Sequence, residues 1–531
     1  MSQPDAAMLH ISRNRQLFLD NLILEQVQDV TKTVHRPEKV AENPLIGADK
    51  PWEQVTYFAC NTFQVVHDAK DDKFKCLYTD WHWDAEEYAK RRSWTDTDIS
   101  LLRQAYAESS DGLRWAKPAL GRIQEDNQDT NLVWGGGKTG TVYCNAVIED
   151  PHAEDEEHRW KCLYVHDAPG IHTIEAGYSG DLINWVPYQE APAFGTRTYL
   201  NDVMTMAYDP YARMFVLMTR EPIQAFVPPI PGNPRGTTSF FSPHYPNDIT
   251  RMNKRRIWQC LSHDFIHWSH PYITFQPDEE DNLDDSFYGM HQHFVGGQRV
   301  GFVNVLHETS NTMDVRLAHT RDGHVWRWIS RERWLERGPA GAFDRNMVVI
   351  PTAPIVRGEE IYFYYGGSKN HHDWWMTGAA EDLDCPEARD REHVGYYLGL
   401  AKLRVDGFVS IDTSPVRDGY LTTRPLFHQG DRFLINAKVQ DGGFIRVQLC
   451  DSENRLLEGY SFEDCRPFQG DSVHHMVTWK AGPEVPSKGM YKVNFHMRKA
   501  SLYAFQFTTE DGKDASIDPQ IDRAQRWRKW E

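Results

Sequence analysis

The sequence lacks the features that would assign it to nucleic acid, to a membrane or to the disulfide-bonded secreted proteins. The formal net charge is −18 and no sizeable Lys/Arg cluster occurs, which argues against a phosphate-backbone partner. No window approaches the roughly 18 apolar residues of a membrane span, and residues 1–15 contain no apolar core of a signal peptide. The eight cysteines form no Cys-x-x-Cys pair, so we expect buried, reduced thiols. These absences predict a soluble cytoplasmic protein, or a periplasmic one if a signal peptide has been removed.

Two common catalytic motifs are also missing. No Gly-x-Ser-x-Gly nucleophile elbow occurs. Gly137-Lys138 lacks the glycine that a phosphate loop needs five places earlier, because Leu132 stands there. Neither motif therefore gives a catalytic site.

What the chain does contain is a repeat. The pattern [Ser/Thr]-x-Asp-x-x-x-Trp occurs at 109–115, 179–185, 262–268 and 320–326, each time after a short strand-like run. An aspartate can close a turn through its own side chain, and a tryptophan four residues later can pack back on the sheet. A second repeated hairpin pattern is centred on Asp68, Asp150 and Asp209, which we also interpret as turn residues.

Together the two patterns predict an all-β fold, a five-bladed β-propeller followed by a C-terminal β-sandwich. Five units at about 55–85 residue spacing each have room for four short strands. We assign residues 1–414 to the propeller and 415–531 to the sandwich, which ends in a charged tail. A string of separate sandwich domains is the competing interpretation, but each unit is too short to bury its own core.

Carboxylates at the starts of the predicted inner strands indicate where chemistry takes place. Asp202, Asp285 and Asp344 would face one axis, and Glu53 and Glu308 are the candidate long-reach proton donors. Glycoside cleavage needs one protonated acid and one ionised carboxylate, and converging carboxylates can supply both. The competing interpretation of each residue is a strand-start side chain that caps turn amides.

Other polar and aromatic residues suit a sugar pocket. Aromatic faces stack on pyranose rings, arginine binds hydroxyl pairs, carboxylates or sulfates, and strand histidines hydrogen-bond substrate or, less often, bind a metal. The alternatives are loop packing for the tryptophans and a structural salt bridge for Arg220. The candidate substrate-binding residues are Asn145, Trp81, Trp83, Arg220, Tyr288, His291, His307 and Arg345.

Several short segments resemble the five-bladed propeller glycosidases of families 32 and 43, and in particular an environmental bacterial group described as family-32-like. The segments that carry the resemblance are 17–21, 33–37, 43–45, 51–53, 423–426, 459–461 and 465–471. The resemblance covers nearly the whole chain at the level of architecture. It implies a retaining or inverting glycosidase with carboxylates at the floor of a funnel.

The favoured prediction is a bacterial glycoside hydrolase, exo-acting on an oligosaccharide from a plant or algal polysaccharide. The chemistry requires no cofactor, and a structural Ca²⁺ or other divalent ion on the propeller axis is compatible with the carboxylates there. Two other functions stay open: a polysaccharide lyase using His291, Tyr288 and Arg345, and a carbohydrate-binding propeller without turnover. The expected partner is the oligosaccharide alone, with no nucleic acid and no membrane, and the protein is a monomer or a homo-oligomer.

Overall fold

The computed structural model describes residues 9–60, 62–82, 101–134, 141–168, 171–195, 200, 203–221, 255–282, 284–308, 310–372, 386–388, 391–487 and 489–509. In these segments the regular structure is β, apart from two 3₁₀ turns at Pro386–Ala388 and Arg391–His393. The prediction of an all-β chain built from several sheets is confirmed. Among the described residues, no helix has the length and apolar character needed to cross a membrane.

Three consecutive sheets, here sheets I to III, are built mainly from antiparallel neighbours in chain order. Sheet I comprises Val55–Thr56, Phe63–Asp68, Lys73–His82, Leu101–Ser109 and Leu132–Trp134. Sheet II comprises Thr141–Glu149, Trp160–Ala168, Ile171–Ser179 and Val186–Pro187. Sheet III comprises Ala193–Phe194, Met204–Asp209, Met214–Glu221, Arg256–Ser262, His267–Trp268 and Tyr272–Phe275. A two-stranded hairpin, Gln124–Glu125 with Gln128–Asp129, stands apart.

Sheet IV is larger and consists of two antiparallel halves. The halves meet at one parallel pairing, Met313 with Met347, and the N-terminal strand Glu38–Lys39 forms the outer edge of the second half. Its strands are Glu38–Lys39, Asp285–Val295, Gln298–His307, Thr312–Thr320, Arg327–Leu335, Met347–Val349, Ile355–Arg357, Glu360–Ser368 and Tyr396–Arg404.

The repeated Asp turns form as predicted. In the first copy, Asp111 Oδ1 accepts hydrogen bonds from the amides of Leu113 and Arg114, both at 2.8 Å, and Ser109 Oγ accepts one from Gly112. The residue after each aspartate takes a left-handed φ of 69–77°, and this residue is glycine in two of the four copies. In the other two copies it is Leu182 or Phe265, whose side chains are buried, so burial offsets the backbone strain.

The second set of turn aspartates has a further role that the sequence analysis did not predict. Asp68 accepts a hydrogen bond from the Lys70 amide within its own turn and also binds Arg159 of sheet II at 2.7 Å. Asp209 of sheet III likewise binds Arg299 of sheet IV at 2.5 Å. These turn carboxylates therefore link neighbouring sheets.

The first long strands of successive sheets contact one another in a closed series. Phe63–Asp68 contacts Thr141–Glu149, which contacts Met204–Asp209, which contacts Asp285–Val295. The series returns to sheet I at Thr352, whose hydroxyl accepts a hydrogen bond from the Val65 amide (3.0 Å) and donates one to the Val65 carbonyl (2.9 Å).

A further sheet joins both ends of the described chain. Its two longest strands pair with each other and bend between Val439 and Phe444, where a Cβ on Gly443 would come within 2.4 Å of the Arg498 carbonyl oxygen. Such bends let one strand take part in two packed layers. The strands are Leu9–Ser12, Gln16–Leu17, Leu24–Gln28, Val30–Val34, Val409–Thr413, Gly419–Thr423, Leu426–His428, Arg432–Asp451, Asp471–Met476 and Gly489–Thr508.

This terminal sheet packs on sheet IV through one continuous core. Phe505 and Phe433 of the terminal sheet belong to the same buried cluster as Trp334, Phe363 and Phe302 of sheet IV. Residues 9–34, which the sequence analysis grouped with the repeats, pair here with strands from the second half of the chain. The domain boundary at residue 414 stays a prediction.

Replacing Thr352 by valine should destabilise the protein by about 1–3 kcal/mol, because two buried backbone groups of Val65 would each lose a hydrogen bond while side-chain volume is nearly kept. Thr352→Ser, which keeps the hydroxyl, is the matched control and should lose less. Urea unfolding of the three proteins measures the difference, and equal losses for both variants would contradict the role of the hydroxyl.

Candidate functional site

Four strand ends meet around the ring of Tyr288. The side chains there are called the axial cluster: Tyr288, Arg220, Arg255, His372 and Glu308. The guanidinium carbon of Arg220 lies 3.8 Å from the centroid of the Tyr288 ring, and that of Arg255 lies 4.8 Å from it. The His372 ring packs edge-on against the same tyrosine with centroids 4.5 Å apart. A cation over an aromatic face is attracted by the ring quadrupole, so Tyr288 holds two positive charges close together.

Those charges act on His372. The imidazole is 2% exposed, and burial together with the neighbouring Arg255 and Arg220 lowers its pKa well below the usual value. His372 is therefore neutral at physiological pH, in the form that can accept a proton.

Glu308 supplies the acid of the axial cluster. It follows the strand Gln298–His307, is 6% exposed, and its Oε1 accepts a hydrogen bond of 3.0 Å from Arg255 Nη1. Its Oε2 has no hydrogen-bond partner among the described residues. Burial raises the pKa of Glu308 despite the opposing effect of Arg255, so the carboxyl group keeps its proton to higher pH than an exposed glutamate does.

Beside the axial cluster lies a buried chain of ion pairs centred on His307. Its Nδ1 contacts Asp285 Oδ1 at 2.8 Å and its Nε2 contacts Asp314 Oδ2 at 2.7 Å. Arg316 binds the second oxygen of Asp285 at 2.7 Å, and Arg333 binds Asp314 at 2.8 Å. With both ring nitrogens facing carboxylates, the site favours an imidazolium that donates two hydrogen bonds.

The pKa values of His307 and Asp285 follow from the geometry of these ion pairs. Burial alone would lower the pKa of His307, but the two aspartates outweigh it and raise the pKa to about 9. Burial would likewise raise the pKa of Asp285, yet hydrogen bonding and charge from His307 and Arg316 hold it below its ordinary value. Asp285 is thus ionised and His307 protonated at neutral pH.

The axial cluster and the ion chain around His307 are joined through the backbone. His307 and Glu308 are consecutive, and the Glu308 amide donates to the Asp284 carbonyl at 2.9 Å, directly before Asp285. The ion chain therefore fixes where Glu308 leaves its strand, beside its hydrogen-bond partner Arg255.

A metal ion fits this arrangement poorly. Asp284, Asp285 and His307 each place a ligand atom within 4.8 Å of the others. A histidine ligand must offer a ring lone pair, whereas both nitrogens of His307 are directed at carboxylate oxygens. We assign no step to a metal here.

Of the predicted catalytic carboxylates, the structure brings Asp285 and Glu308 close together and places two others elsewhere. Glu53 lies in the wall of sheet I, where it accepts hydrogen bonds from Tyr78 and, through both oxygens, from Lys117. Asp344 lines a different cavity, where it binds Lys39 at 2.5 Å and accepts a hydrogen bond from Tyr365. Asp202 lies outside the described residues.

The predicted binding residues divide in the same way. Tyr288 and Arg220 belong to the axial cluster and His307 to the ion chain. Trp81 is buried in the core of sheet I against Tyr57. His291 is buried in mid-strand, where burial lowers its pKa to about 4. Arg345 is exposed, Trp83 lies outside the described residues, and so does the side chain of Asn145.

The sequence analysis missed Arg255, His372, Asp314 and Arg316. Asp314 and Arg316 alternate along the strand Thr312–Thr320, so two charged residues share one face of a strand whose nine residues are all buried. That pattern was visible in the sequence. Arg255 lies in the short basic run 254–256, which by itself indicates no site, and nothing local distinguishes His372 from the other histidines.

No protein-family model matches the chain, and no curated protein matches it. Solved structures that match include an N-acetylgalactosamine deacetylase from F. plautii, with 13% identity, coverage of 72% of this chain and 97% of that chain, and a TM-score of 0.41. A β-1,2-mannobiose phosphorylase from Listeria innocua matches with 12% identity, coverage of 69% and 96%, and a TM-score of 0.44. An α-L-arabinofuranosidase from Podospora anserina matches with 12% identity, coverage of 69% and 97%, and a TM-score of 0.38. At this level of similarity we argue function from the site alone.

His307 should make the stability of the protein depend on alkaline pH. Because its folded pKa of about 9 exceeds the ordinary value of 6.5, its contribution is complete below pH 6.5 and is lost as the pH rises through 9. The wild type should therefore lose on the order of 3 kcal/mol relative to His307→Gln between about pH 6 and pH 9.5.

Urea unfolding at several pH values measures this difference. His263→Gln, which changes an exposed histidine of a turn, is the matched control and should run parallel to the wild type. If the free energy of unfolding of His307→Gln changed with pH in the same way as that of the wild type, the assignment of His307 as an imidazolium would be wrong.

Proposed function

We propose that the protein is a glycoside hydrolase whose site is the axial cluster, with Glu308 as the proton donor. The observation that carries the proposal is the state of Glu308: buried, raised in pKa, and with one oxygen lacking a partner among the described residues. A general acid needs its proton at working pH and an unblocked oxygen to pass it to the leaving group. The raised pKa of Glu308 and its Oε2, which makes no hydrogen bond among the described residues, fit these two requirements.

The ionised partner in this proposal is Asp285, with Asp202 as the other candidate. Cleavage of a glycosidic bond develops positive charge on the sugar, and a carboxylate held ionised beside it stabilises that charge. Asp285 keeps its negative charge because His307 and Arg316 lower its pKa. Glu308 and Asp285 thus have pKa values displaced in opposite directions, which is how two neighbouring carboxyls take acid and base roles.

We further propose that the closed series of sheets is a five-bladed β-propeller of the kind found in glycosidase families 32 and 43. The two halves of sheet IV would be two of its blades, and the terminal sheet a β-sandwich behind it. The sequential contacts of the first strands and the return contact at Thr352 support this arrangement. Exo-action on an oligosaccharide fits a site at the end of a funnel.

Glu308→Gln should lower kcat for natural glycosides by about 10²–10⁴-fold, because the amide cannot donate the acidic proton. The loss should be much smaller for aryl glycosides whose leaving group needs no protonation. In the wild type, activity should fall as the pH rises through the raised pKa of Glu308. This decrease should be absent from the pH–activity curve of Glu308→Gln.

Glu332→Gln, at an exposed glutamate on the outer strand of sheet IV, is the matched control and should retain wild-type kinetics. An equal loss of rate for good and poor leaving groups would remove Glu308 from the acid role.

A second function is supported by a separate observation. Neutral His372 beside Tyr288, with two guanidiniums over the same ring, is the set of groups that a polysaccharide lyase uses on a uronate. The arginines would hold the carboxylate, and His372 or Tyr288 would remove the proton next to it.

Product chemistry separates the two functions. A lyase releases an unsaturated sugar that absorbs in the ultraviolet, and Tyr288→Phe should abolish that product. A hydrolase releases a saturated reducing sugar, with Glu308 as the residue on which the rate depends.

A further inference from the structure

A second cavity, here called the flank cavity, shares no lining residue with the axial cluster. Its volume is about 430 Å³, within the range of small-molecule sites. It is formed by the N-terminal segment around Lys39, the loop 336–344 and Tyr365 of sheet IV.

The loop is held in a defined shape around the cavity. Lys39 Nζ donates to the Glu336 carbonyl at 2.7 Å and to Asp344 Oδ2 at 2.5 Å. Gly338 donates its amide to the Asp344 carbonyl, and a Cβ at that glycine would come within 2.1 Å of Asp344 Oδ1. The wall is therefore built by specific contacts.

Arg337 lines this cavity and has no visible counterion. It makes no hydrogen bond or ion pair with any residue that the structure describes, and its Nε is both buried and without a partner there. Buried guanidinium N–H groups are normally satisfied by an acceptor, because leaving them unpaired is costly. Arg36, by contrast, is paired with Glu332 and Glu336.

The ion pairs of the lining leave one cation unpaired. Of its three cations, Arg36 pairs with Glu332 and Glu336 and Lys39 pairs with Asp344, which leaves Arg337 without an ion pair among the described residues. Burial and the nearby Arg333 lower the pKa of Arg337, and the charge of Asp314, which forms no ion pair with it, opposes them only in part. An acidic group entering the cavity would supply the missing negative charge.

The rest of the lining suits a sugar ring. Phe343 presents a half-buried ring to the cavity and stacks on Tyr365 with centroids 6.3 Å apart. Val40, Pro339 and Ala342 complete an apolar wall. Aromatic and apolar faces bind the CH face of a pyranose, while a guanidinium binds a carboxylate or sulfate in bidentate fashion.

We propose that this flank cavity is a second binding site, which takes a monosaccharide unit bearing a carboxylate or sulfate group. Arg337 binds the acidic group and Phe343 the sugar ring. The site is separate from the axial cluster, so the inference does not depend on the proposed hydrolysis.

Titration calorimetry of the full chain with galacturonate and galactose tests the proposal, because the two sugars differ only at the acidic carbon. Galacturonate should bind at least ten-fold more tightly than galactose, and the preference should weaken with added salt. Arg337→Gln should remove the preference. Arg36→Gln should keep most of it, since Arg36 is already neutralised by two glutamates, and Glu308→Gln should leave it unchanged.

Three further measurements test the proposal, with galactose 6-sulfate, with the variant Ala342→Trp and with inorganic sulfate. Galactose 6-sulfate distinguishes a sulfate from a carboxylate ligand, since the tighter of the two acidic sugars identifies the group. Ala342→Trp fills the flank cavity without changing charge and should also remove the preference for galacturonate, which gives a second route to the same loss that leaves Arg337 intact. Equal binding of galactose and galacturonate, an unchanged preference in Arg337→Gln, or inorganic sulfate binding as tightly as the sugars would overturn the proposal.

Discussion

The site depends above all on one protonated histidine held between two aspartates. His307 bridges Asp285 at the start of one strand and Asp314 on another, and both bonds are shorter than 3 Å. Buried ion pairs gain little net stability, because removing the charges from water costs nearly as much as their attraction returns. Their value here is positional: three strands of sheet IV are held in one register beside the axial cluster, and Glu308 follows His307 directly.

The axial cluster then shows how burial and charge separate the tasks of similar groups. Burial, together with the two arginines on Tyr288, lowers the pKa of His372, while burial raises the pKa of Glu308. A few ångströms away, the ion chain keeps Asp285 ionised and His307 charged. The environment of each residue thus shifts its pKa in the direction that its proposed task requires.

Features that depend only on residues close together in sequence could be predicted from the sequence. The Asp turns form as expected, because an aspartate caps the amides of its own turn whatever lies around it. Asp285 and Glu308 were chosen as candidates because they stand at strand ends, and the pairing of Asp285 with His307 brings them close together. The partners of Glu53 and Asp344 were not predicted, since Lys117 and Lys39 lie 64 and 305 positions away in sequence. Long-range pairing also explains why residues 9–34 were grouped with the repeats.

The terminal sheet has a consequence for how the protein is made. Gln16 and Leu17 pair with Phe505 and Ala504, so the earliest strands of the chain have partners near its other end. At roughly 5–20 residues per second, a ribosome needs about half a minute or longer to synthesise the intervening stretch. Throughout that time the N-terminal strands have apolar faces and free edges that must stay out of other sheets. Completion of the terminal sheet therefore waits until the residues around Phe505 have been synthesised, and the sheets between can form before it.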